Sequence, residues 1–473
     1  MQATTLYASL CRRLKSLAKP VYRRLFNQYS LGLIAIALLS FGLRFWQISR
    51  FDDLVFDETY FVKFARAYLV GTPQFDAHPP LGKYFIAAGI WLGDRASITT
   101  PLSYRWMNAL IGGGIPLIVM KIAYALSPSS NRRPLQPKAW TFGLLAGTFV
   151  AIDGLFVTES RYGLINIYMV FFGLLGHWLW LRASLFLGQR QAFKRMLYQG
   201  LAGVALGAAI GTKWNGLGYV LSLLIWEVLV AKPWQGQIRF NIKAFVRSFF
   251  YLILIPSFTY CLIWQPHLYL TQESLGSTHI ALLNFHQRLA AGHPACSQWF
   301  TWPLLIKPIA YWYEKSGSVA YTVNNLGNPA LWWLSSAAVF LLCLEKVSRL
   351  AVAIRVRWSS WGTASLNTNS LNTNRISDYL LISYAANWLP WLLVERCTFI
   401  YLYMPAAVFS FMAIAWLLSE WLCSSASSPQ ARTIALAMLG AIALAFFFWL
   451  PLMLGSPLTP DQLQARWWLK TWL

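Results

Sequence analysis

Long apolar stretches alternate with short polar ones along most of the chain. Eleven runs approach the roughly 20 residues that a helix needs to cross a bilayer: 30–48, 106–126, 140–157, 164–181, 197–212, 217–231, 248–265, 330–345, 377–394, 399–419 and 433–454. The apolar residues are continuous rather than alternating, which predicts helices and argues against a transmembrane β-barrel. The predicted fold class is an all-α polytopic membrane protein with about 11 transmembrane helices, its body spanning 30–454. A basic segment, 1–29, precedes it, and a short tail, 455–473, comes after it. Two segments between runs are long, 49–105 and 266–329, and long ordered loops are usually functional. The stretch Leu366 to Arg375 repeats Leu-Asn-Thr-Asn and reads as a linker.

Composition supports this picture. Of 473 residues, 57% are hydrophobic and 12% charged, with a mean hydropathy of +0.47. A soluble chain is about 45–50% apolar and about 25% charged. A soluble globule, a disordered chain and a coiled coil are thereby set aside. The net charge of +23 would suggest nucleic acid in a soluble protein, but here the cations sit in short loops. Arg132, Arg133 and Lys138, then Arg182, Arg190, Lys194 and Arg195, then Lys232, Arg239, Lys243 and Arg247, then Lys346 to Arg357 fall on one side, with most acids on the other. The positive-inside rule places the N-terminus in the cytoplasm and both long segments outside. Residues 1–28 lack the apolar core and cleavage site of a signal peptide. None of the six cysteines forms a CxxC pair, so no metal centre is expected. Cys296 and Cys397 both fall on the expected outer side, which leaves a bridge between them open.

The candidate chemistry lies in the long segments and at run ends. Asp57-Glu58 opens a predicted helix, Glu58 to Leu69, with Thr59, Lys63 and Arg66 as a polar stripe. Asp57 suits either a helix cap or a general base for an alcohol, its pKa raised by a second acid beside it. Phe75 to Lys83 holds His78, a stiff Pro79-Pro80 pair, and Lys83, which is suited to a phosphate or to snorkelling. Arg161, Lys213 and Arg396 end three runs on the same side, as plain anchors or as a cationic nest for a phosphate head group. His279, His286 and His293 recur every seven residues, a spacing unlike helical metal ligands. His293 with Trp299 and Trp302 offers rings for a sugar or for the membrane interface. No nucleotide-binding loop is found, so an activated group would arrive on a lipid, with no cofactor.

Phe56-Asp57-Glu58 and Phe75 to Lys83 resemble the first-loop signature of the protein O-mannosyltransferase family. Glu159 to Tyr162, Gly211 to Leu217, His293 to Pro303, Gly327 to Trp333 and Arg396 to Pro405 resemble further family blocks in the same order. The resemblance implies a GT-C glycosyltransferase fold and an inverting transfer of mannose from a polyprenyl-phosphate donor to Ser/Thr of protein acceptors. It implies Asp57 as base beside Glu58, with Arg161, Lys213, Arg396 and Lys83 on the donor phosphate. His78, His293, Trp299 and Trp302 are expected to line the substrate. The chain looks like the short bacterial form, without the β-trefoil domain of eukaryotic members. Asn166 stands where the family often has Asp, and Leu402 where it often has His.

Rival readings are a transferase of the same fold acting on a lipid, as aminoarabinose transferases do, and a transporter. A transporter would place ionisable groups at mid-span within inverted repeats; here they cluster at run ends.

Overall fold

The computed structural model describes residues 28–127, 137–186, 188–230, 242–288, 292–359 and 375–472. Most of the basic N-terminal segment, the loop cations Arg132, Arg133, Lys232 and Arg239, and most of the Leu-Asn-Thr-Asn repeat lie outside the described residues.

Each of the eleven apolar runs is helical. In chain order the helices are α1 (Gln28–Phe45), α2 (Glu58–Val70), α3 (Leu81–Arg95), α4 (Leu102–Leu126), α5 (Pro137–Ile152) and α6 (Gly154–Arg161). Next come α7 (Asn166–Ala183), α8 (Ala192–Thr212), α9 (Leu217–Val230), α10 (Ile242–Phe249), α11 (Ile255–Thr271) and α12 (Leu275–Arg288). The last are α13 (Pro329–Ser359), α14 (Arg375–Trp388), α15 (Met404–Cys423), α16 (Pro429–Leu454) and the short α17 (Pro460–Gln464). Among the described residues, five helices are long and apolar enough to cross a membrane, or six if α5 and α6 count as one bent span. The chain is a multi-pass helical membrane protein.

The stretch Ile400–Cys423 forms the centre of the bundle, 94% of its apolar window being buried. Small residues allow the close helix packing that membrane bundles use. A Cβ on Gly112 would lie 2.2 Å from Ser160 Oγ, and one on Gly113 would lie 2.3 Å from the Phe41 ring.

Two features depart from the expected pattern. The run 140–157 breaks by 57° at Asp153. The buried Asp153 carboxylate accepts the N–H groups of Leu155 and Phe156, which caps a new helix. It also accepts the Asn328 N–H at 2.9 Å and the Trp332 indole at 2.7 Å. The second long segment holds an antiparallel hairpin, β1 (Ile309–Ser316) and β2 (Val319–Asn325), in a chain expected to be all-α. The aromatic and β-branched runs Tyr311-Trp312-Tyr313 and Tyr321-Thr322-Val323 were its signal, with Gly317 at φ +59° in the turn. A bulge at Tyr311 interrupts the ladder. On its far side β2 meets the tail through a mutual backbone pair between Ala320 and Leu458.

Candidate active site

The two adjacent acids separate completely. Glu58 is fully buried. Its carboxylate takes Arg105 Nε at 3.0 Å, Arg105 Nη2 at 2.8 Å, and the N–H groups of Val55 at 2.8 Å and Gly163 at 2.6 Å. Arg105 also donates to the carbonyls of Ile48, Phe51 and Asp53. A paired and fully hydrogen-bonded carboxylate of this kind is a structural clamp: it holds segment 48–58 against the bundle. Expected as the catalytic neighbour of Asp57, Glu58 has both carboxylate oxygens occupied by these bonds.

Asp57 begins α2 but does not cap it, since its side chain makes no capping hydrogen bond. It is half-buried, and its carboxylate has no hydrogen-bond partner among the described residues. Burial raises its pKa to about 6; Lys213 and His293 pull it down and Asp76 pushes it up. The expected second acid beside it is thus Asp76 rather than Glu58.

Lys83, expected on a phosphate, has its ammonium engaged by the protein itself. Buried in the first turn of α3, its ammonium pairs with Asp76 and donates to the carbonyls of His78 at 2.7 Å and Pro79 at 2.8 Å. It pins the turn that carries His78. The His78 imidazole is held neutral, first by burial and then by the cations Lys213 and Lys83.

Lys213 leaves the end of α8 as extended backbone and is buried. Its Nζ donates to Asn166 Oδ1 at 2.9 Å and lies 4.9 Å from the centre of the Tyr401 ring. Asn166 donates onward to Glu159 at 3.2 Å, and Glu159 accepts Asn325 at 3.0 Å and the Tyr311 hydroxyl at 2.5 Å. Burial lowers the Lys213 pKa to about 8, with Asp57 and Glu159 opposing.

Arg396 is half-buried and makes one hydrogen bond among the described residues, to the Cys397 carbonyl, so most of its fork is free. A disulfide between Cys296 and Cys397 ties it to the second long segment. Ser297 and Thr398 reinforce that link with bonds of 2.8 and 2.6 Å.

Lys213, Arg396, His78 and His286 line one cavity of about 630 Å³. Its remaining wall is chiefly apolar, from Leu217, Val220, Leu221 and Leu224 of α9 to Trp391 and Val394. A cationic mouth over an apolar channel fits an amphiphile whose anionic head is joined to a hydrocarbon tail. Among the described residues no cluster of His, Cys, Asp or Glu could hold a metal ion.

The other expected residues divide. His293 is exposed and acts electrostatically on Asp57. Trp299 is half-buried against Trp388. Trp302 is 1% exposed, bonded to Ser297 and packed on Trp391, so it is a core residue rather than a sugar platform. Arg161 is not brought to the cavity. Its guanidinium is buried and donates to the carbonyls of Leu43, Arg44, Trp46 and Gln47, closing the end of α1. Sequence reasoning passed over Arg105, marked Asn166 only as a departure from the family pattern, and gave Asp76 and Tyr311 no role of their own. Arg105 had a signal, as a lone arginine at the edge of an apolar run.

Residues 34–271 match the family described as dolichyl-phosphate-mannose-protein mannosyltransferase. Residues 271–472 match the C-terminal four-helix membrane region of protein O-mannosyltransferase. The chain is 25% identical over 467 residues to a polyprenol-phosphate-mannose–protein mannosyltransferase of Mycolicibacterium smegmatis, covering 84% of this chain and 81% of the relative. It is 23% identical to the protein of that name in Mycobacterium tuberculosis, covering 92% and 90%. In structure it resembles the Saccharomyces cerevisiae Pmt1-Pmt2 complex bound to the sugar donor, with a TM-score of 0.78, 15% identity, and 95% and 93% coverage. ArnT from Cupriavidus metallidurans bound to undecaprenyl phosphate superposes with a TM-score of 0.51, 12% identity, and 89% and 64% coverage.

Proposed function

Because this chain belongs to the protein O-mannosyltransferase family, we propose that it moves mannose from a polyprenyl-phosphate donor to Ser or Thr hydroxyls of polypeptides. The observation that carries the reading is the cavity with its cationic mouth and apolar channel, one of whose cations, Lys213, acts electrostatically on the unpartnered Asp57 carboxylate. The lipid tail lies along α9, and the phosphate meets Lys213 and Arg396. Asp57 takes the proton of the acceptor hydroxyl as its oxygen attacks the anomeric carbon. The bond from that carbon to the phosphate oxygen breaks, the configuration inverts, and polyprenyl phosphate leaves as an anion. The proton then passes from Asp57 to solvent. Fixed cations stabilise the charge that grows on the departing phosphate, so a strong general acid is not required.

The site faces outward across the plasma membrane in this reading. The charge asymmetry of the loops supports that orientation, as does the Cys296–Cys397 disulfide, which suits an oxidising compartment. The test is to incubate the purified protein with radiolabelled polyprenyl-phosphate mannose and a Ser/Thr-rich peptide. Label in peptide is expected; label in lipid or in neither overturns the reading.

A further inference from the structure

The hairpin beside Asp57 has one edge occupied and one edge free. In an antiparallel ladder, opposed residues alternate between pairs that bond each other and pairs whose backbone groups point outward. Ala320 exchanges two bonds with Leu458, at 2.8 and 2.9 Å, so the Lys315–Ala320 pair is of the outward kind. Two residues along, Tyr313–Thr322 is outward as well. Tyr313 and Lys315 therefore aim N–H and C=O away from β2. Among the described residues no backbone group bonds them there. Both residues are exposed, Tyr313 by 58%.

This edge runs toward the reaction centre. Two residues before Tyr313, the bulged Tyr311 stacks on Phe56 with centroids 4.1 Å apart, and Asp57 is the next residue after Phe56. Bulges beside active sites commonly end a ladder and turn the strand to a new direction.

We propose that the acceptor polypeptide docks as a third strand along the free edge of β1, which delivers its Ser or Thr hydroxyl past the Tyr311 bulge to Asp57. The inference rests on the transferase reading and names how its substrate is held. A polypeptide is the occupant because an extended backbone supplies the donors and acceptors that Tyr313 and Lys315 leave unpaired. The tail segment at Leu458 already extends the sheet in this manner on the opposite edge. Recognition through backbone would accept many sequences around the hydroxyl.

The test measures binding of a fluorescent Ser/Thr acceptor peptide to the purified protein, alongside transfer. Acceptor peptides N-methylated at one backbone position at a time should lose affinity at alternate positions, by about tenfold each, as for one backbone hydrogen bond. Tyr313→Pro and Lys315→Pro remove outward N–H groups and no hairpin bond. Each should weaken peptide binding by about tenfold while leaving donor KM and the thermal midpoint unchanged. Tolerance of N-methylation at every position, or equal loss at all positions, overturns the proposal even if a Pro variant misfolds. Peptide binding with the alternation intact but no transfer by the unmodified protein counts against the transferase reading alone.

Discussion

Asp57 and Glu58 are chemically near twins one residue apart, and their surroundings give them opposite work. Glu58 accepts four hydrogen bonds and is paired with Arg105. Asp57 accepts none from the described residues. Asp57→Asn is expected to leave the fold intact and to lower transfer by about 10²–10⁴-fold, the usual worth of a general base, checked by initial rates at saturating donor. Arg105→Met is expected to behave differently, because it strands a buried carboxylate at a cost of about 3–5 kcal/mol; thermal unfolding in detergent would register that loss. The pH profile carries a second prediction. Asp57 must be ionised to accept a proton, so kcat/KM rises through about 6. Lys213 must be charged to meet phosphate, so it falls above about 8. A bell with its top near neutrality is the expected outcome for the free enzyme.

The elements carry these side chains by devices that a run of apolar residues conceals. Asp153 ends α5, starts α6 at 57°, and ties the break to Asn328 and Trp332. That bend brings Glu159 beneath the hairpin, where it meets Tyr311 and Asn325. Asn166 then joins Glu159 to Lys213 as donor to one and acceptor from the other, a dual role that fits an amide. Asn166→Asp would replace the bond to Glu159 by a contact between two acceptors and add an anion beside Lys213. The alkaline limb of the pH profile is expected to move upward from about 8, because a nearby negative charge favours the ammonium. An unmoved limb would mean that another group sets it.

Across the whole molecule, residues far apart in the chain are fastened around one cavity. The disulfide spans 101 residues and, with the Ser297–Thr398 bonds, holds the second long segment against the loop that bears Arg396. Cys397→Ser is expected to cost about 2–4 kcal/mol of stability, as closure of a long loop is relaxed. It should also raise donor KM more than acceptor KM, since Arg396 lines the donor cavity. Thermal melts and paired KM measurements check both.

Helical class, membrane residence, and the cluster of ionisable groups at run ends were legible in the order of residues, because the bilayer imposes a length and an apolarity that any spanning helix must meet; the count of eleven spans was not, since five or six described helices meet that length and apolarity. Asp57 and His78 stood out in the first long segment, and Lys213 and Arg396 at run ends; His78, Lys213 and Arg396 line one cavity, and Lys213 acts electrostatically on Asp57. Arg161, Lys83 and Trp302 stood out likewise but turn into the protein to satisfy carbonyls, a carboxylate and a hydroxyl. Local pattern is blind to that distinction. Whether a buried charge serves chemistry or architecture depends on which partners reach it from remote segments, and those partners exist only once the helices have packed.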